Sequence, residues 1–373
     1  MRLVRVVISL LLALFVSACA HKQYTFEYAN KVNETQQQVV WPLAPERPRY
    51  RYLGEILGEV NFKTVQGSEG SLRKGVSWLG NIIFGKSAPL SLYRPQSGAF
   101  DHKNRRLYVS DVSQKKVFVF DLLNGRVETW DGGGVEQFFK TPIALTILPN
   151  GDVLVTDADL GYVFRFDKEG KFIGNFGAAH LTRPTGITYD PDFEKIYVAD
   201  SQMHQIQVFS QDGKWVSGFG GKGATNGKFN APTHVIFSNK ILHVSDTLNA
   251  RVQLFEVNGS SGVSDKWLRT FGKRGLDVGN MPRPKGIAVD SDGNIIVVES
   301  YYDHLLMFNR QGQGLMAIGG TGNAPGEFDL PAGVWTDNTD KVYVADMFNQ
   351  RIVVFQYYSD DTNDKQSGKN RLK

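Results

Sequence analysis

Apolar residues in this chain gather in short runs that end in an acid. Six stand out: Leu107-Tyr108-Val109-Ser110-Asp111, Val153-Leu154-Val155-Thr156-Asp157, Ile196-Tyr197-Val198-Ala199-Asp200, Leu242-His243-Val244-Ser245-Asp246, Ile295-Ile296-Val297-Val298-Glu299 and Val342-Tyr343-Val344-Ala345-Asp346. Their brevity and their β-branched and aromatic content predict strands rather than helices. Both faces of each run are largely apolar. A strand sandwiched between neighbouring sheets needs this, because simple alternation would leave one face to water. The runs recur at roughly the forty to fifty residues of one four-stranded propeller blade. The longest interval, Asp246 to Glu299, contains the extra loop Asn258-Gly259-Ser260-Ser261-Gly262. An insertion at a hairpin is tolerated.

Other positions keep the same period. A proline precedes the first strand of each unit: Pro95, Pro142, Pro184, Pro232, Pro284 and Pro331. Proline fits there because no ladder donor is lost at a strand's first residue. A third strand ends in an aromatic (Phe120, Phe166, Phe209, Phe255, Phe308, Phe355), and an outer strand ends in Phe176-Gly177, Phe219-Gly220 or Phe271-Gly272. The prediction is an all-β, six-bladed β-propeller of four-stranded antiparallel blades. The sixth unit stops after Val354-Phe355 without an outer strand. Residues 50–58 (Tyr50-Arg51-Tyr52-Leu53-Gly54-Glu55-Ile56-Leu57-Gly58) read as the missing strand. Pairing it with the last blade closes the ring and leaves no large exposed edge. Residues 71–84, with Leu72, Val76, Leu79, Ile82 and Ile83 apolar, are read as an amphipathic helix over this closure.

The first residues carry a different signal. Arg2 and Arg5 precede an apolar run, 6–16, too short to span a bilayer as a helix. It ends in Val16-Ser17-Ala18-Cys19, which resembles a bacterial lipobox, with Cys19 as the acylated residue. Acyl burial contributes about 0.8 kcal/mol per methylene, so more than one chain anchors stably. Ala20 follows, and the resemblance to sorted lipoproteins then implies the outer membrane. The expected organisation is a signal peptide over 1–18, a lipidated cysteine with a flexible polar tether over 19–48, the propeller over 49–358 and a disordered polar tail over 359–373. Cys19 is the single cysteine, which excludes a disulfide framework or a CxxC pair. With 42 basic against 38 acidic residues the charge is nearly balanced, which argues against a bulk nucleic-acid partner.

Arg283-Pro284-Lys285-Gly286-Ile287-Ala288-Val289-Asp290-Ser291-Asp292-Gly293-Asn294-Ile295 resembles the start of an NHL repeat. Ile196-Tyr197-Val198-Ala199-Asp200 and Asn349-Gln350-Arg351-Ile352-Val353-Val354-Phe355 resemble its second half. The resemblance covers roughly residues 90–356 and implies the fold. It does not choose a function. NHL-type propellers include a zinc-dependent peptide-amidating lyase, sensor domains of bacterial kinases, RNA-binding domains of animal proteins and bacterial lipoproteins without known activity.

Candidate chemistry lies where equivalent positions differ between blades. The six acids Asp111, Asp157, Asp200, Asp246, Glu299 and Asp346 recur in every unit, which favours a turn-capping role over a carboxylate ring. Two residues after the blade proline stand Ser97, Ala144, Gly186, His234, Gly286 and Gly333. His234 is the exception, expected at the channel mouth with the small residues leaving room for a ligand group. Arg94, Arg183 and Arg283 directly precede the proline in alternate blades. They either surround one face suited to a carboxylate, phosphate or acidic glycan, or each pairs with a nearby acid at little gain.

A metal needs converging ligands. His180, His204 and His304 fall in connections or turns, and His243 takes the place of Tyr108, Tyr197 and Tyr343. Hence neither a metal nor another cofactor is expected. The function expected is an outer-membrane-anchored binding or scaffolding propeller for a protein, peptide or glycan. The tentative ligand residues are His234, Arg94, Arg183 and Arg283, and the export signal argues against RNA. The alternative is a periplasmic hydrolase or lyase with its site at the channel mouth. Exposed Tyr301, Tyr302 and Phe348 would favour the partner-binding reading.

Overall fold

The computed structural model describes residues 24–30, 38–64, 88–134, 137–257 and 266–359. Six antiparallel sheets are arranged as blades about an axis. The first comprises Pro95–Asp101, Arg106–Asp111, Lys116–Asp121 and Arg126–Trp130, in that order from the axis outward. The next four blades span 142–176, 184–220, 232–271 and 284–319, each with four strands in sequence order. The proline-led first strands contact one another in turn around the ring, the last touching the first. In every blade the proline lies opposite the landmark acid, as in Pro95–Asp111 and Pro232–Asp246.

The sixth blade joins both ends of the described chain. Pro331–Thr336, Lys341–Asp346 and Arg351–Tyr357 are followed outward by Tyr50–Ile56, paired antiparallel from Ile352–Ile56 to Tyr357–Tyr50. The closing strand is therefore where the sixth unit's missing strand predicts it. Beyond it Val40–Trp41 pairs with Tyr50 and Arg51, giving this blade five strands instead of four.

Each seam between neighbouring blades holds one hydrophobic cluster. Between the sixth and first blades lie Leu107, Val109, Phe118 and Phe120 from one side and Trp335, Tyr343, Ile352 and Val354 from the other. This two-sided burial explains the uniformly apolar landmark strands. Each fully buried Val, Leu or Phe contributes about 1.5–3 kcal/mol relative to exposure.

The closing seam carries an additional strap. Tyr24–Phe26 pairs with Phe62–Thr64, and Ala29 bridges Glu55. Phe26, Tyr28, Phe62 and Leu90 pack onto the seam cluster. Trp41 meets Phe355 edge-on at 5.6 Å between centroids. The expectation of a free tether over 19–48 is thus corrected for 24–30 and 38–48. Their aromatic side chains gain more by covering a seam than by remaining in water. The expected helix over 71–84, the extra loop at 258–262, Cys19 and nearly all of the polar tail lie outside the described residues.

A buried charge locks the closure. Arg351 is 1 % exposed and donates Nε to Asp346 at 2.7 Å, Nη1 to Glu55 and to the Asn323 carbonyl, and Nη2 to the Glu327 carbonyl. Glu55, on the closing strand, also accepts from the Tyr52 hydroxyl.

Candidate functional site

The face carrying the blade-to-blade connections is built by the six acids. Asp111 accepts the amides of Ser113 and Gln114 in the turn after its strand, and those of Tyr93 and Arg94 before the blade proline. Asp157 and Asp200 do the same for Lys140, Thr141, Asp159 and Leu160, and for Thr182, Arg183, Gln202 and Met203. Glu299 takes the amides of Arg283, Tyr301 and Tyr302. These four acids therefore meet the capping role and extend it, each fixing two loops at once. Asp246 and Asp346 accept one loop amide each, from Asn230 and Asp329, and otherwise bind the side chains of Asn249 and Arg251 and of Asn349 and Arg351. Four residues after the acid the chain turns left-handed in all six blades: Lys115, Gly161, His204, Ala250, Asp303 and Gln350 have φ between 55° and 69°.

This repeat explains His204. Its Nδ1 accepts the Ala231 amide at 2.9 Å, tying the third blade to the entry of the fourth. Asp303 does the same for Leu330 at 2.9 Å. His204 is a staple between blades. His180 stacks on Trp215, and His243 is buried, which pushes its imidazole down to about 4. Among the described residues no three His, Cys, Asp or Glu side chains converge in a way that could hold a metal ion.

The register containing His234 serves a different purpose from the one expected. A Cβ on Gly286 would lie 2.5 Å from the Val334 nitrogen and 2.7 Å from the Ala332 carbonyl oxygen. A Cβ on Gly186 would meet the Thr233 oxygen at 2.7 Å and the His234 Cα at 2.8 Å. These positions face the neighbouring inner strand, so the small residues admit close approach of backbones and leave no space for a ligand. This corrects the expected role of the small ring. His234 remains the exception at the seam of the fourth and fifth blades. The residue is partly buried, and its Nε2 is buried with no hydrogen-bond partner among the described residues. Burial, then the ammonium of Lys285, push its imidazole down to about 3.

Lys285 was missed from the sequence. One residue after the blade proline the six blades carry Gln96, Ile143, Thr185, Thr233, Lys285 and Ala332. Lys285 is the one charge in this ring and is partly buried. No hydrogen bond or ion pair joins its ammonium to a described residue. Burial, and then Arg283, push its pKa down. The same comparison of positions that singled out His234 would have found it one column earlier.

The three arginines do not act alike. Arg183 pairs with Asp159 at 2.8 Å, both side chains about half exposed, as the bland reading expects. Such a pair contributes about 0–1 kcal/mol. Arg94 lies over the Phe348 ring, 5.4 Å from its centroid, across the closing seam. Arg283 is exposed, and among the described residues no side-chain partner holds it. Around them the same face exposes Tyr93, Leu248, Tyr301 (59 %) and Phe348 (47 %). Tyr301 packs edge-on against Tyr302.

Comparison with known proteins agrees with this architecture. A family described as a 6-bladed beta-propeller matches residues 286–366, and the NHL repeat matches residues 181–209. The chain is 28 % identical over 151 residues to the Drosophila melanogaster protein brain tumor, covering 39 % of this chain and 13 % of that one. It is 25 % identical over 188 residues to the peptidylglycine alpha-amidating monooxygenase of Rattus norvegicus, covering 46 % and 19 %. The chain therefore spans under a fifth of the length of either relative. The solved structure of an auxiliary nutrient binding protein from Bacteroides thetaiotaomicron is similar with a TM-score of 0.57 at 13 % identity, over 72 % of this chain and 70 % of that one. At that identity the likeness shows the fold alone.

Proposed function

We propose that this chain is a lipid-anchored binding propeller, acylated at Cys19 and held at the outer membrane, that offers its connection-bearing face to a protein, peptide or glycan. The observation that carries the reading is the half-exposed Phe348 under Arg94, with Tyr93 on the same face. Arginine and aromatic side chains that remain exposed on a rigid surface are those that dominate binding energy when a partner covers them. The six acids hold the loops bearing these groups, so little ordering is needed on association. A solved propeller of similar fold bears the name of a nutrient binding protein, which is consistent with a binding role.

A photo-crosslinking residue at Phe348 in living cells should yield a discrete adduct. One at Asp192, in a turn at the opposite end of the blades, should not. Equal adducts from both positions, or none from Phe348, would refute the face assignment. For the anchor, Cys19→Ala should release the protein from the outer-membrane fraction, and unchanged fractionation would sink that part.

A second reading, a periplasmic hydrolase or lyase at the channel mouth, is favoured by one observation, the buried unpartnered Nε2 of His234 beside Lys285. A relative that carries a monooxygenase name matches part of the propeller, and this reading would place chemistry at the same mouth.

A further inference from the structure

Hydroxyl protons around His234 can be counted. The Thr247 hydroxyl donates to the Pro284 carbonyl at 2.7 Å, because a carbonyl only accepts. Its single proton is thereby used. The 2.7 Å contact between the Thr233 and Thr247 hydroxyls must then carry the Thr233 proton. The Thr233 oxygen, 3.2 Å from Nδ1 of His234, is left to accept, so Nδ1 bears the imidazole proton. Nε2 consequently presents a lone pair, buried and unpartnered. On the facing inner strand, directly after the Pro284 that holds Thr247, stands Lys285, whose ammonium has no acidic partner among the described residues and whose neighbour Arg283 adds further positive charge.

The two groups make opposite demands. The ammonium calls for an anion. The Nε2 lone pair repels a bare anion and calls for a hydrogen-bond donor. An unmatched buried acceptor costs about 1–3 kcal/mol, so a ligand supplying the donor gains from its relief. We propose that His234 and Lys285 form a two-point site for an anionic group that also carries a hydroxyl proton, donating to Nε2 and accepting from Nζ. Hydroxy-carboxylates, including uronic sugars, and hydrogen phosphate share this chemistry. The site rests on the reading that the connection-bearing face is where ligands bind, and adds the class of group recognised.

The repeat supplies five internal controls. At the place of His234 the other blades have Ser97, Ala144, Gly186, Gly286 and Gly333, and at that of Lys285 they have Gln96, Ile143, Thr185, Thr233 and Ala332. At the place of Thr247 they have Val112, Ala158, Ser201, Ser300 and Met347. The base, the cation and the hydroxyl that sets the tautomer thus all occur at one seam.

The test is a titration of the full mature chain at pH 7.5, reading the His234 ring resonances by NMR and heat by calorimetry. The probes are inorganic phosphate, glucuronate, sulfate (charge without a proton) and glucose (hydroxyls without charge). Phosphate or glucuronate should shift His234 saturably, and whichever binds names the source of the group. Sulfate and glucose should bind at least tenfold more weakly. Lys285→Met should abolish binding of the anions, and Thr233→Val, which releases Nδ1, should erase the preference for phosphate or glucuronate over sulfate. Sulfate binding as tightly as phosphate and glucuronate, no saturable shift with either, or full binding by Lys285→Met would overturn the proposal. Failure here with Phe348 adducts intact leaves the partner-binding face standing. Ligand binding without such adducts refutes that reading alone.

Discussion

Replacing Arg351 with Met tests how the ring is held shut. Arg351 is fully buried and faces two carboxylates, Asp346 on its own blade and Glu55 on the closing strand, together with two carbonyls. Methionine fills much of the volume but takes this cation away from both acids. Removing one partner of a buried ion pair costs about 3–5 kcal/mol. For a domain of this size about 0.6 kcal/mol corresponds to one degree, so the melting temperature should fall by about 5–8 °C. Arg251 is an internal reference. It binds Asp246 and the carbonyls of Ala224, Thr225 and Lys228, but no second acid among the described residues. Arg251→Met should therefore cost less, the difference being the ion pair lost at Glu55. Adding Glu55→Gln to Arg351→Met should recover part of the loss, because a neutral amide still accepts from Tyr52. Thermal and urea unfolding of the three variants and the parent decide it. If Glu55→Gln brings no recovery, or if Arg351→Met costs under 1 kcal/mol like an exposed pair, the closure is not held by this charge.

Three further outcomes are expected. Gly286→Ala should cost about 1–3 kcal/mol in urea unfolding, since its Cβ would meet the backbone of the next inner strand, whereas Gly314→Ala, with nothing within 4 Å, should be neutral. Asp290 is buried, and burial raises its carboxyl to about 6 from 3.8. The folded state then holds a proton that the unfolded chain has lost, so this group's contribution falls as pH rises from about 4 to about 6, by at most about 3 kcal/mol, and Asp290→Asn should remove that fall from the stability–pH curve. A chain beginning at Pro48 loses the Trp41 and Phe26 contacts and should be about 2–4 kcal/mol less stable than one beginning at Tyr24, while one beginning at residue 67 also loses Tyr50–Ile56 and should melt lower still; equal melting points for the first two would deny the strap any role.

The architecture was legible because a propeller repeats its instructions. Six acid-ended strands and six prolines mark period, strand order and the missing strand, and 50–56 fills the gap they define. The double capping by Asp111, Asp157, Asp200 and Glu299 was half visible, since sequence spacing shows the turn that follows the acid but not the loop across the blade. The strap was readable too. Tyr24-Thr25-Phe26-Glu27-Tyr28 alternates aromatic and polar residues, a strand signature hidden among polar neighbours. What could not be read was separation. The register of His234 followed from counting, but the closeness of adjacent inner strands did not. Small residues that pack backbone against backbone therefore looked like open space. The tautomer of His234 lay further out of reach, because it depends on Thr247 and Pro284, brought together only by the ring.

Departures from the repeat gather at two seams, and they differ in kind. At the closing seam Glu55, Arg351, Trp41 and the strap aromatics solve a problem that this seam alone has, joining two distant parts of the chain into one sheet. Folding accounts for them. The seam between the fourth and fifth blades is formed by consecutive units and needs no such device. Four others like it are satisfied by small, apolar or neutral polar residues at the equivalent inner-strand places. Yet here, on facing inner strands, stand a lysine without an acid among the described residues and a histidine without a partner at Nε2, each at a cost that a threonine or glycine would avoid. Folding gives no account of this pair, whereas a ligand supplying both a negative charge and a proton would satisfy it. The same contrast separates His234 from His204: a histidine whose ring nitrogen caps the next blade is explained by the fold, and one whose ring nitrogen meets nothing is left to be explained by binding.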